Sequence, residues 1–280
     1  MPDATTITEI AYRTWHINEC GMDSMYLLEG SKEALLIDTG LGAVDLPSIL
    51  GRLTSKPIRV AITHGHFDHV GGMGFFDEVA MHPADWCKAL GVSISTRREY
   101  LHTMMGVCDG LYHLSDEDLR EFAAPPSLKP LREGDVIQLG NRDVLVYETP
   151  GHTAGGLSFL DVRERILFSG DACWNTILLS LEDNTDPVRN TLSATIATAE
   201  KIERLGTRYD RHYFGHVAEG VDRNVLPMGR DVSAQVAQAC HDILAGRVSG
   251  VHRMAGDFCG EHLEVRESSV TIQYFPWQVR

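Results

Sequence analysis

Three histidines and an aspartate fall within six positions in the run Thr63-His64-Gly65-His66-Phe67-Asp68-His69. One histidine in a protein core is an ordinary hydrogen-bonded residue. Four ionisable groups buried together are costly unless something compensates them. A divalent cation is the simplest compensation, and imidazole with carboxylate suits zinc, with iron or manganese as alternatives. In extended chain, residues i and i+2 face the same side, so His64 and His66 can converge on one ion. Gly65 between them lets the backbone pack closely. Asp68 and His69 come after the chain has begun to turn and can address a second ion nearby. Val70-Gly71-Gly72 then gives the turn its freedom.

Three later segments share one pattern, a β-like run followed by Gly and a potential ligand. They are Pro150-Gly151-His152, Ser169-Gly170-Asp171 and Phe214-Gly215-His216. A glycine before each ligand permits a sharp turn that presents the side chain at the end of a strand. Taken together and in this order, the segments predict a single site.

The elements that must position these groups are legible as alternating apolar runs. Met25–Leu28 and Ala34–Ile37 flank a turn at Glu29-Gly30-Ser31 and read as a hairpin. Ile58–Ile62 is a compact apolar strand leading into His64. Val136–Leu139 with Val144–Tyr147, and Leu157–Leu160 with Ile166–Phe168, read as two more hairpins. Asp186-Pro187 predicts a helix start, with Val188, Leu192, Ile196, Ala199, Ile202 and Leu205 at helical spacing and a stop at Gly206. Val232, Val236, Cys240 and Ile243 form a second such stripe. Residues 84–128 carry Trp86, Tyr100, His102, Met104, Met105, Tyr112 and a helix-like stretch Ser115–Phe122 before Pro125-Pro126. They read as a helical insertion over one face of the core, within a single domain covering residues 1–280. Tyr100, Met104 and Met105 are its candidates for lining a substrate pocket, with Trp174 as the facing wall. Residues 251–280, with a β-like run at Ser269–Phe275, read as a C-terminal β appendage.

The full series of ligand types resembles the metallo-β-lactamase superfamily, whose signature is HxHxDH followed by a separate His, Asp and His. His64, His66, Asp68, His69, His152, Asp171 and His216 fill every position, and Leu35-Leu36-Ile37-Asp38-Thr39-Gly40 is similar to the family's early strand. The resemblance spans roughly residues 10–220. It implies an α/β fold, an αββα four-layer sandwich, with metals at one edge. It also implies that His64, His66 and His152 hold one metal, that Asp68, His69 and His216 hold a second, and that Asp171 bridges them. Asp38 would support the metal loop from behind. Two ions about 3.5–4 Å apart share a water and acidify it, giving a bridging hydroxide that attacks an electrophilic centre. Asp68 and Asp171 are the catalytic candidates, Asp68 also orienting that hydroxide. The implied function is dinuclear, zinc-type hydrolysis of an ester, thioester or lactone of a small molecule, as in hydroxyacylglutathione hydrolase-like and lactonase-like members. A mononuclear-iron persulfide dioxygenase and a phosphodiesterase are the alternatives. Such lactonases commonly carry Tyr three residues after the bridging Asp, where this chain has Trp174. A basic cluster of the thioesterases would follow His216, where Arg223, Arg230 and Arg247 are available.

The rest of the sequence narrows the partners. A formal net charge of -14 repels polyanions at long range, so no nucleic-acid partner is expected. No apolar run approaches the roughly 20 residues that span a bilayer, so no membrane partner is expected either. The opening residues lack the basic start and apolar core of a signal peptide. Six cysteines without CxxC spacing fit reduced thiols in a cytoplasmic protein. Cys173 lies two residues after Asp171, but no base stands beside it in the sequence, and it reads as a pocket or core residue.

Overall fold

The computed structural model describes residues 5–107, 114–179, 186, 188–216, 226–254 and 261–280. The first half builds a seven-stranded sheet in sequence order: β1 (Thr5–Ala11), β2 (Thr14–Glu19), β3 (Asp23–Glu29), β4 (Ala34–Ile37), β5 (Ile58–Ala61), β6 (Glu78–Met81) and β7 (Ser127–Pro130). The first four strands are antiparallel neighbours and the last four run parallel. The second half supplies β8 (Val136–Gln138), β9 (Asp143–Glu148), β10 (Leu157–Asp161), β11 (Ile166–Phe168), β12 (Thr176–Leu178) and β13 (Arg211–Tyr213). Five of these form a second sheet in the order β13-β11-β10-β9-β8. All three hairpins expected from the alternating runs form, with Tyr26 opposite Ile37, Val136 opposite Leu145 and Phe159 opposite Phe168.

Period-two alternation explains why the two sheets face each other. Leu35 and Ile37 of β4 point one way and meet Val144, Val146, Phe159, Ile166 and Phe168 of the second sheet, forming a core between the sheets. Ala34 and Leu36 point the other way and pack on α1 (Leu46–Leu53) through Leu46, Ile49 and Leu50. The same cluster takes in Val70 of α2 (Phe67–Val70) and Ala89 of α3 (Trp86–Leu90). On the outer face of the second sheet, Leu160 and Leu167 pack against α5 (Leu192–Arg204) and α6 (Val232–Leu244). The layers therefore run helix, sheet, sheet, helix, as the resemblance implies. Each fully buried Phe or Leu in them contributes about 1.5–3 kcal/mol.

Residues 84–128 hold α3 and α4 (Ile94–Val107) and then join β7. The stretch Ser115–Phe122 is not helical. The Asp118 carboxylate accepts from the Ser115 backbone N–H (2.8 Å) and from its hydroxyl (3.0 Å), a local turn that competes with helix. Tyr112 lies outside the described residues. The helix expected from Asp186 begins later, because Thr191 is the cap and its hydroxyl accepts from Ala194 N at 3.1 Å. Asp186 instead closes a turn by accepting from Val188 and Arg189, which leaves Val188 exposed, and Pro187 lies outside the described residues. Near the C-terminus β14 (Val251–Met254), β15 (Glu261–Glu267) and β16 (Val270–Tyr274) form a meander that is joined to the core, since β16 pairs in parallel with β12. Among the described residues no helix is long and apolar enough to cross a membrane.

Candidate metal centre

Four strand ends meet at one edge of the sandwich and deliver the seven side chains. β5 runs into His64 and His66. His66 is still extended (φ -76°, ψ 152°) and starts α2, so Asp68 and His69 ride on a single helical turn. β9 leads to His152, β11 to Asp171 and β13 to His216. Gly151 and Gly170 take positive φ as turn glycines (139° and 52°). Gly215 has a different reason: a Cβ there would sit 2.2 Å from Asp171 Oδ1.

The side chains converge as three overlapping groups whose ligand atoms lie within 4.8 Å of one another: His64, His66 and His152; His64, His69 and Asp171; Asp68, His69 and His216. His152 Nε2 is 3.2 Å from His64 Nε2 and 2.8 Å from His66 Nδ1. Asp171 spans the groups, with Oδ1 3.7 Å from His69 Nε2, and Oδ2 2.9 Å from His216 Nε2 and 3.7 Å from His152 Nε2. Asp68 lies 3.8 Å from both His69 Nε2 and His216 Nε2.

Acceptors behind the rings decide which nitrogen faces inward. His64 Nδ1 donates to Thr63 Oγ1 (3.0 Å), which donates to Asp38 (2.8 Å). His69 Nδ1 donates to Asp38 Oδ2 (3.0 Å), His216 Nδ1 to the Met22 carbonyl (2.7 Å), and His152 Nδ1 to the Leu178 carbonyl. Four rings therefore turn Nε2 toward the centre, while His66 turns its Nδ1 inward. Asp38 takes the supporting place expected of it, at a positive φ of 62°.

These residues fit a cation. Lone pairs of neighbouring imidazoles face each other at hydrogen-bond distance. The buried atoms His69 Nε2 and Asp171 Oδ1, which face this centre, have no hydrogen-bond partner among the described residues. Burial and neighbouring imidazoles hold His64 and His66 well below the usual histidine range, and burial lowers His152, so these rings are neutral ligands. The other end asks for positive charge. Burial opposes a charged His69, yet Asp68, Asp171 and Asp38 raise it to about 10. Burial likewise opposes a charged His216, and Asp171 raises it well above its ordinary value.

Of the candidate pocket residues, Tyr100 and Trp174 come to the site and the two methionines pack beside it. The Tyr100 ring lies 5.0 Å from Phe67, and its hydroxyl donates to Asp23 at 3.4 Å. Trp174 stacks on Phe214 at 5.1 Å and lies 5.5 Å from the His216 ring. Met104 and Met105 join an apolar cluster with Phe67, Leu101 and Leu41 beneath α4. Arg230 faces Asp210 and Arg247 faces Asp242, while Arg223 lies outside the described residues. Cys173 is buried and its thiol is pushed up to about 12, which makes it inert.

Two groups at the site went unread in the sequence. Asp23 is fully buried, 3.8 Å from His216 Nδ1, and burial together with nearby Asp68 raises its carboxyl well above the usual range. It is a lone acid in a strand, with no pattern to mark it. Asn190 donates to the carbonyls of Gly151 (2.6 Å) and His152 (3.1 Å) and accepts from Gln278 Nε2 (2.7 Å), tying the His152 loop to the last residues of the chain.

Comparison with known proteins agrees with this edge of the molecule. The chain is 34% identical over 174 residues to acyl-coenzyme A thioesterase MBLAC2 of Homo sapiens, covering 56% of this chain and 60% of that protein. It is 27% identical over 120 residues to hydroxyacylglutathione hydrolase of Rhodopseudomonas palustris, covering 43% of this chain and 35% of that one. The chain thus spans at most about three fifths of these relatives' length. In fold it is similar to the metallo-beta-lactamase from Pontibacter korlensis, with a TM-score of 0.56, 14% identity, and coverage of 85% of this chain and 99% of the other. The family model for the metallo-beta-lactamase superfamily matches residues 19–216, from Glu19 at the end of β2 to His216 itself, and the chain belongs to that superfamily.

Proposed function

We propose that the chain is a dinuclear metal-dependent hydrolase that cleaves the thioester of a small acyl substrate, with esters and lactones as the neighbouring chemistry. The observation that carries this reading is the position of Asp171, which lies near His152 of one end and near His69 and His216 of the other. His64, His66 and His152 would hold one ion and Asp68, His69 and His216 the second, and zinc suits the donor set. Bound divalent metal supplies an acidified water at neutral pH and a Lewis acid for the substrate carbonyl.

The chain's own groups do the rest. Asp171 fixes the separation of the two ends. Asp68 is placed to accept a hydrogen bond from the attacking water and hold its direction. Trp174, braced by Phe214, and Tyr100, carried by α4, form walls that orient the acyl group. No protein nucleophile is required, in keeping with the inert Cys173. The names of the matched relatives, an acyl-coenzyme A thioesterase and a hydroxyacylglutathione hydrolase, favour the thioester over the lactone. Trp174 in place of a tyrosine hydroxyl points the same way. Among the described residues Cys87, Cys173 and Cys240 form no disulfide, which fits a reducing, cytoplasmic setting.

The test is hydrolysis of a panel holding a thioester, a lactone, a phosphodiester and a β-lactam by zinc-loaded protein, with a chelated control. Thioester turnover should exceed the others by about a hundredfold in kcat/KM. Preference for the phosphodiester or the lactone overturns the assignment. Tyr100→Phe should shift relative rates across the panel with metal content unchanged.

A further inference from the structure

Asp85 lies at the end of a single 3-10 turn, Pro83–Asp85, that follows β6, and it is 1% exposed. None of its carboxylate contacts is to a metal ligand's ring, yet they reach both loops that deliver the three-imidazole end. Oδ2 accepts from the backbone N–H of Gly65 (2.9 Å) and from Thr153 Oγ1 (2.7 Å), and Oδ1 accepts from the backbone N–H of Gly155 (2.7 Å). Gly65 separates His64 from His66, and Thr153 follows His152. The two loops are about ninety residues apart in sequence, and one buried carboxylate joins them.

The surroundings are shaped to admit that carboxylate. A Cβ at Gly155 would stand 2.6 Å from Asp85 Cγ, and one at Gly65 would stand 2.9 Å from the Asp85 carbonyl oxygen. Glycine at 155 makes room for the carboxylate itself, and glycine at 65 lets the main chain of the Asp85 turn come close. A carboxylate accepting three hydrogen bonds, two of them from backbone, is a rigid strut. Groups that orient ligands without touching the metal commonly alter its affinity by 10–100-fold.

We infer that Asp85 is a positioning residue that sets the gap between the His64/His66 loop and His152, and so governs metal retention at the three-imidazole end. The inference rests on the reading of the seven side chains as metal ligands. Chelator competition on the full-length protein, with Zn2+ as the probe, tests it beside thermal unfolding of the metal-free protein. Asp85→Asn replaces an acceptor with a donor facing these N–H and O–H groups. It should weaken one of the two zinc equivalents by at least about tenfold and leave the other within about twofold. The metal-free melting temperature should stay within a few degrees of wild type. Thr153→Val, which removes one contact of the three, should weaken the same equivalent by less and keeps the test available if the first variant does not fold. Unchanged affinity in both variants, or equal weakening of both equivalents, overturns the inference while leaving the hydrolase reading intact. Wild-type protein that retains no zinc overturns both.

Discussion

The two ends of the metal centre are held by different chemistry. At the end of His64, His66 and His152 the ligands are neutral rings, and what holds them is a backbone carbonyl, a threonine hydroxyl, an asparagine amide and a buried carboxylate. At the end of Asp68, His69 and His216, carboxylates and imidazoles compensate one another, and Asp23 adds a further acid. The strands behind this second end are pinned by two buried neutral histidines. His212 Nε2 pairs with Ser169 Oγ at 2.8 Å, just before Gly170-Asp171, and His16 Nε2 pairs with Ser24 Oγ at 2.9 Å, next to Asp23. One end is thus organised by hydrogen bonds to neutral rings and to the loops that carry them. The other depends on groups whose protonation matters. His64 touches His69 across the divide, their rings 4.1 Å apart, and Asp171 is the carboxylate of the seven that contacts both ends.

The largest effect should come from removing that shared group. Asp171→Ala should lower turnover by about a thousandfold, roughly 4 kcal/mol of barrier, and weaken metal retention at both ends while the fold survives. A loss of less than about tenfold would show that the ends work independently. Steady-state kinetics with metal analysis decides it.

A smaller effect, confined to one end, should follow from Asn190→Ala. Its amide holds the carbonyls of Gly151 and His152, so its loss should release zinc from the three-imidazole end about tenfold faster. Gln278→Ala should act in the same direction and more weakly, because it acts through Asn190. Equal release from both ends would erase the distinction. Stopped-flow transfer to a chromophoric chelator separates the two phases.

The smallest effect concerns acid stability. Burial lowers His212 to about 4 and His16 to about 3, while the unfolded chain titrates near 6.5. Their folded pKa values are depressed, so their contribution is complete above pH 6.5. Below it the unfolded state takes up protons first, and stability is lost as pH falls from 6.5 toward about 4 and 3. Each group contributes a slope of at most about 1.4 kcal/mol per pH unit. His212→Gln should therefore show a smaller difference between urea-unfolding free energies at pH 7 and pH 5 than wild type. An unchanged difference would mean that His212 is not held neutral in the fold.

What could be read in the sequence follows from how local each signal is. The seven candidate ligands stand out because their types, their spacing and the adjoining glycines lie within a few residues of one another. The hairpins stand out because alternation is a property of a single strand. Asp85, Asp23 and Asn190 are single polar residues in unremarkable stretches, and each acts on chain that is distant in sequence. Only the closed fold shows what they hold. The misplaced helix start has a comparable cause. Asp186-Pro187 and Thr191 are both good caps, and packing of Leu192 and Ile196 on the second sheet selects the later one. Similarly, Ser115–Phe122 has helical composition, but the Asp118 turn prevails once the segment lies over Gly42, whose carbonyl accepts from Arg120 N.

The central claim is that two ions are held at two ends joined by Asp171. Elemental analysis of purified protein by mass spectrometry, for wild type and His66→Ala in parallel, tests it most directly. Two divalent metal equivalents per chain in the wild type and about one in the variant is the result expected. A single tightly held iron with no second equivalent in the wild type would contradict it.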